Sequence, residues 1–281
     1  SHRLGEVFSI LPSTKEINSS SWTQRQTYDS DLEVTRPWYY STYLLDSDVK
    51  VEFVPGKKSG FYKFTFPQAS EKNILLAVYN AGPSSFKFIS NDEVIGLETY
   101  HGNINVYMYG KFTKGAERGS IIKNQKSLDK SITGSGSKVW LSYPKGSSQS
   151  IQFKYAISYV SADQAKANFE KELIDTEFES LVRDGEAAWS KVINQIEVKG
   201  GTEAQKRSFY TALYRTYERM VDINEYGHYF SGFDNMIHTS QKPFYVDDWA
   251  WDTYLAQHPL RIILDPAKEQ DMLNSYIDIF I

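Results

Sequence analysis

The sequence has 281 residues, a formal net charge of −4 and no cysteine, which excludes disulfides, thiolate catalysis and every cysteine-based zinc or iron site. Lysine and arginine are scattered among aspartate and glutamate, so no basic stripe can neutralise a row of phosphates, and nucleic acid is not an expected partner. No apolar run approaches the roughly 20 residues that span a bilayer.

With 41% hydrophobic and 23% charged residues, the chain can bury a core, and its length suggests two domains. Aromatic residues reach 15%, including 20 Tyr and 6 Trp. Such rings offer flat apolar faces with a polar tip, a surface that sugar binders and large β cores both use.

From about Val49 to Ile157, short apolar runs of period two are separated by Gly, Pro, Asn, Asp and Ser, which predicts antiparallel strands. The clearest are 49–53, 61–66, 104–109 and 151–157, with further candidates at 74–79, 86–89, 94–97 and 139–143. Each should bury one face, and together, with no intervening helical pattern, they predict an antiparallel β-sandwich over residues 1–160.

At Ser161 the period changes, because Ser161-Ala162-Asp163-Gln164 has the form of a capping box. Thr176-Glu177-Phe178-Glu179 repeats that form and precedes a helical stripe of Phe178, Leu181, Val182, Gly185, Trp189, Val192, Ile193 and Ile196. Residues 161–200 are therefore expected to form linker helices. Thr202-Glu203-Ala204-Gln205 should cap a third helix, with Phe209, Leu213, Thr216, Tyr217 and Met220 on one face.

Residues 222–246 read as irregular, before a helix from Trp249 to Gln257 that Pro259 should break near His258. Asp265 and Pro266 then open a last helix, with Leu273, Tyr276, Ile277 and Phe280 on one face. The pattern runs up to Ile281, and the expectation is a chain cut short, its stripe meant for elements encoded further along.

These motifs resemble glycoside hydrolase family 92. Arg36 to Ser41 resembles the family's Pro-Gly-Tyr-Tyr segment, and Phe61 to Pro67 its aromatic strand. Residues 157–161 with Ala165, Asn168 and Glu172 resemble its passage from sandwich to linker helix, and Phe209 to Arg215 its next helix. The most specific element is Asp247-Asp248-Trp249-Ala250-Trp251-Asp252-Thr253-Tyr254-Leu255-Ala256-Gln257-His258-Pro259-Leu260, similar to the family's Trp-Asp-Thr-aromatic-Arg-Ala-x-His-Pro-Leu signature. Leu255 stands where the family pattern usually has Arg.

The resemblance implies a β-sandwich (supersandwich) joined to the start of an (α/α)6 barrel over residues 201–281. It further implies a fragment of a secreted, bacterial periplasmic or cell-surface, exo-acting inverting α-mannosidase that uses Ca2+ and acts on mannose-containing glycans. Asp252 would accept hydroxyl hydrogen bonds from the sugar and Trp251 would shape the pocket, with Asp248, Tyr229 and Asp234 as further substrate-binding candidates. The alternatives stay open that Asp252 braces its helix, Trp251 packs, and the loop of Tyr226, His228, Tyr229, Gly232 and Asp234 is a packed connector. Asp247 reads as a helix cap.

Inversion needs two carboxyl groups about 6.5–9.5 Å apart, and no pair in the sequence fits those roles. The acid, the base and the Ca2+ ligands are expected beyond residue 281. His101, His228, His238 and His258 lack metal-ligand spacing. The competing class is a non-catalytic glycan-binding or interaction module, and a trehalase- or glucoamylase-like (α/α)6 enzyme is a third reading.

Overall fold

The computed structural model describes residues 6–100, 103–122 and 125–280; His101 and Ile281 lie outside them. The chain forms two compact units that divide after Gly185.

The first unit begins with β1 (Phe8–Ser13), β2 (Val34–Arg36), β3 (Tyr39–Leu44), β4 (Val49–Pro55), β5 (Ser59–Thr65), β6 (Lys72–Val78) and β7 (Pro83–Phe88). It continues with β8 (Glu93–Tyr100), β9 (Ile104–Phe112), β10 (Glu117–Ile122), β11 (Gln125–Ser127), β12 (Ser131–Ser135), β13 (Lys138–Tyr143) and β14 (Ser150–Ser158). They pair into a five-stranded sheet, β1-β6-β13-β10-β11, and a nine-stranded sheet, β12-β7-β8-β9-β14-β5-β4-β3-β2. All of their pairings are antiparallel.

Alternation places Ile74, Leu76, Val139 and Leu141 of the smaller sheet against Phe64, Val94, Met108, Ile151 and Phe153 of the larger one, and this is the core. The expectation that each strand buries one face fails at the centre. The outer face of β6 and β13 carries Leu75 and Trp140, which Ile17 and Trp22 cover. That is why β6 reads as a nearly continuous apolar run, buried along its whole length. Lys72 opens this strand fully buried, its Nζ donating to the carbonyls of Gln68 at 3.2 Å, Ser70 at 3.3 Å and Lys145 at 2.8 Å.

The larger sheet is also covered outside. Helices α1 (Ala162–Leu173) and α2 (Phe178–Ile193) follow β14. Ser161 caps α1 as expected, accepting from the Gln164 amide at 3.0 Å. Ala165, Phe169 and Leu173 of α1 pack on Tyr109 and Ala156 of the sheet, and the small Ala156 leaves the helix room. Burying two such side chains as Phe169 and Leu173 contributes roughly 1.5–3 kcal/mol each.

Polar bonds fix the same helix. Asn168 is fully buried and donates to the Ile157 carbonyl at 2.9 Å. Glu172 accepts the amides of Lys57 at 2.9 Å and Lys58 at 3.0 Å and the Ser59 hydroxyl at 2.6 Å, closing the β4–β5 turn onto the helix. Lys154 reaches up from β14 and donates to the carbonyls of Leu173 at 3.1 Å and Thr176 at 2.7 Å, at the C-terminal end of α1. The Thr176 hydroxyl donates back to the Glu172 carbonyl at 2.8 Å, where a cap for the next helix was expected. Phe178 opens α2 against Val54 and Phe61. A Cβ at Gly185 would stand 2.7 Å from Trp38 Cβ, so glycine is what admits this approach.

The second unit holds α3 (Glu203–Arg215), β15 (Val221–Asp222), β16 (His228–Ser231), β17 (Met236–Thr239), β18 (Tyr245–Val246), α4 (Ala250–Thr253), α5 (Gln257–Leu264) and α6 (Pro266–Phe280). Thr202 and Gln205 form the full capping box that the sequence predicts. Met220, expected on this helix, lies beyond its end. The region read as irregular contains a β16–β17 hairpin and the short β15–β18 pair, too brief for a period-two signal.

The predicted helix from Trp249 to Gln257 is broken earlier than expected, at residues 254–256. Pro259 sits in the first turn of α5, where no amide donor is required of it. Asp265 caps α6 through the Lys268 amide at 3.2 Å. The buried side of α6 carries Glu269, Met272 and Ser275, while Leu273, Ile277 and Phe280 of the apolar stripe are exposed. No helix among the described residues is long and apolar enough to cross a membrane.

Replacing Glu172 with Ala removes three donors' acceptor at once and is expected to lower stability by roughly 2–3 kcal/mol. Glu170→Ala breaks an exposed pair with Lys166 and should cost under about 0.5 kcal/mol. Urea unfolding of the two variants checks the contrast.

Candidate functional site

The tryptophan-rich segment connects β18 to α5. Asp247 follows the strand with φ of 64°, a left-handed backbone that aspartate tolerates better than most residues. Its carboxylate takes Arg219 Nη1 at 2.9 Å, and the same guanidinium lies 5.1 Å from the Trp249 ring centre. At the far end, Gln257 Nε2 donates to the Arg219 carbonyl at 2.7 Å. Both ends of the segment are thus tied to residue 219. Asp247 is therefore not the expected helix cap, and no side chain caps α4 at Trp249.

Asp248 turns inward, its side chain 5% exposed. One oxygen accepts the Thr253 hydroxyl at 2.8 Å, and the other accepts the Tyr276 hydroxyl and faces His258 Nε2 at 3.3 Å. The other nitrogen of that ring, Nδ1, is 2.8 Å from Oε1 of the buried Glu269. Burial pushes the Asp248 carboxyl up, but the bonds from Tyr276, Thr253 and His258 outweigh it and hold the group below the usual aspartate range. Burial and the bond to Asp248 push the Tyr276 phenol up. Arg261 is also buried, its guanidinium 4.0 Å from the Tyr217 ring centre and donating to the Thr216 carbonyl.

Trp251 and Asp252 have the opposite character. Trp251 is 69% exposed, with its ring 5.9 Å from that of Trp249. Asp252 is exposed, and among the described residues its carboxylate makes no hydrogen bond or ion pair. Asp248 and Asp252 do not share a helix face, because Asp248 precedes α4 and points into the unit. Leu255 is 71% exposed.

Tyr229 and Asp234 belong to the β16–β17 hairpin. Tyr229, a candidate for the rim of a sugar pocket, is buried, with its ring stacked on Phe244 at 4.0 Å and on His238 at 5.1 Å. Asp234 is exposed at the turn, where it accepts the Met236 amide at 3.0 Å and meets His238 Nε2 at 2.7 Å. Desolvation is the largest single influence and pushes its carboxyl up, but the bonds from Met236, His238 and Ser231 together outweigh it and lower it. Both residues build the hairpin, and neither joins Trp251 and Asp252.

The sequence reading did not find the cluster of His258, Glu269, Thr253 and Tyr276 around Asp248. One signal was present: Glu269, Met272 and Tyr276 recur at helical spacing, which puts a carboxylate on the face that packs inward. Among the described residues, no three His, Asp or Glu side chains gather as a metal site.

The family model for the glycosyl hydrolase family 92 N-terminal domain matches residues 2–158, and that for the family's catalytic domain matches residues 164–281. The chain belongs to glycosyl hydrolase family 92. It is 24% identical over 265 residues to an uncharacterized secreted glycosidase of the fungus Arthroderma benhamiae, covering 82% of the chain and 33% of that protein.

Among solved structures, it resembles a family 92 inverting mannosidase of Bacteroides thetaiotaomicron with a TM-score of 0.87 at 24% identity, over 96% of the chain and 38% of that one. A family 92 α-mannosidase of the same organism gives 0.85 at 24% identity, over 95% and 39%. The family 92 chain thus spans about a third of the fungal relative and under two fifths of these structures. At these identities the structural likeness is one of fold, a sandwich-like pair of sheets followed by the first helices of the helical domain.

The lowered Asp248 carboxyl has a pH signature. Its contribution to stability is complete above the unfolded value of about 3.9 and is lost as pH falls through the lower folded value. Asp248→Asn in the family 92 chain should therefore cost roughly 2–3 kcal/mol at pH 7. The gap to the wild type should narrow below about pH 3.9, as read from urea unfolding at a series of pH values.

Proposed function

We propose that the protein containing this chain is an exo-acting inverting α-mannosidase, to which the chain contributes the sandwich domain, the opening helices of an (α/α)6 barrel and part of the sugar subsite. The observation that carries this reading is the exposed Trp251 beside an unpaired Asp252 inside the segment matched by the family's catalytic-domain model. An indole face packs on the apolar face of a pyranose, and a free carboxylate accepts two hydroxyl protons from it.

Single displacement on a mannoside requires one protonated carboxyl at the glycosidic oxygen and one carboxylate activating water on the opposite face. Asp248 and Glu269 are the carboxylates that the second unit brings together, but both are buried and bonded to one imidazole, which removes them from those roles. The acid and base are assigned to other parts of the full-length protein.

Calcium is assigned on the family likeness. A hard cation bound to sugar hydroxyls would help distort the ring. The described residues offer it no three-ligand site. The secreted description of the fungal relative supports export, which for a bacterial source means the periplasm or cell surface.

The full-length protein is expected to release mannose from α-mannosides with inverted configuration at C1, followed by proton NMR, and to lose this activity on chelation of calcium. Asp252→Ala should lower kcat/KM by at least about 10²-fold, the scale for a buried polar sugar contact left unpaired. Tight mannoside binding without turnover would instead select the glycan-binding module.

A further inference from the structure

Trp251 and Asp252 stand on a helix of four residues. A single turn does not hold itself together, since nucleation fixes more backbone dihedrals than its few bonds offset. The direction in which Asp252 points is therefore set by what holds the turn at its base.

The base is a continuous polar chain. Thr253, 5% exposed, is the inward residue of the turn, and its hydroxyl is bonded to Asp248. Asp248 in turn faces Nε2 of His258, and His258 reaches Glu269 of α6 through Nδ1. Tyr276, two turns further along α6, holds the same oxygen of Asp248. An imidazole bonded at both nitrogens cannot rotate without losing both bonds, so it acts as a fixed strut between the turn and α6.

Glu269 shows that the strut is not a by-product of packing. Its second oxygen, Oε2, is buried and has no hydrogen-bond partner among the described residues. A buried carboxylate oxygen left so is costly, and an apolar side chain would pack α6 against the unit at less expense. The bond to His258 Nδ1, with the buried Arg261 charge nearby, accounts for an acid at this position.

We infer that His258 is a positioning residue for the sugar subsite: acting through Asp248 and Thr253, it holds the α4 turn so that Trp251 and Asp252 meet the sugar, without touching the sugar itself. The inference rests on the reading of Trp251 and Asp252 as sugar contacts. It reassigns Asp248 from substrate binding to the support beneath it. Misplacing a sugar contact by about 1 Å costs on the order of 10²-fold in rate, which sets the effect to expect.

The test is a double-mutant cycle in the full-length protein, with kcat/KM measured on an aryl α-mannoside for the wild type, His258→Gln, Asp252→Ala and the double variant. The expected result is a loss on the order of 10²-fold for His258→Gln alone and a smaller one, below about 10-fold, in the Asp252→Ala background, where Trp251 alone is left to be misplaced. Equal losses in the two backgrounds overturn the inference while leaving Asp252 as a sugar contact. No loss from Asp252→Ala overturns the subsite reading, and the inference with it. If His258→Gln does not fold, Tyr276→Phe takes its place in the cycle, and additivity there is equally decisive. If the wild type binds mannose without hydrolysis, the same cycle is read in calorimetric binding constants.

Discussion

A charge withdrawn from water destabilises a fold by several kcal/mol unless donors or acceptors replace its hydration. The chain repeatedly meets this constraint with bonds that join elements. The Lys72 ammonium gathers carbonyls from the loops beside β6, and Lys154 gathers those at the end of α1. Glu172 gathers the amides of the β4–β5 turn. In the second unit Asp248 and Glu269 each meet one nitrogen of the same imidazole, and Asp248 also takes the Thr253 and Tyr276 hydroxyls.

The same constraint separates two kinds of residue inside one short motif. Asp247, Asp248, Thr253, Gln257 and His258 have their polar atoms committed to the protein, whereas Trp251 and Asp252 have theirs turned to solvent. Asp247, in its left-handed backbone, goes to Arg219, while Asp248 goes inward. A binding group on a short turn is useful to the extent that the committed residues leave it no choice of direction.

The sandwich was legible in sequence wherever one face of a strand is apolar, as in residues 61–66 and 151–157, and the caps at Ser161, Thr202 and Asp265 were read from local chemistry alone. Short strands such as β2, β11 and β12 escaped, because three to five residues carry no usable period. The inward face of α6 escaped for another reason. Glu269 and Ser275 lie inward because His258 and the Tyr245 amide supply their partners, and such pairing is invisible until the elements are assembled. In the site, the family resemblance pointed to Trp251, Asp252, Tyr229 and Asp234 alike; the first two stand exposed together, and the other two belong to the β16–β17 hairpin.

Lys72 has a practical side. Each proton of its ammonium already faces a carbonyl, and no surface of the side chain meets solvent. Amine-directed reagents would label the surface lysines and pass this one over for as long as the loops around it stay closed. A label appearing at position 72 would then date the moment at which the sandwich comes apart, so the sequence carries its own chemical clock for unfolding.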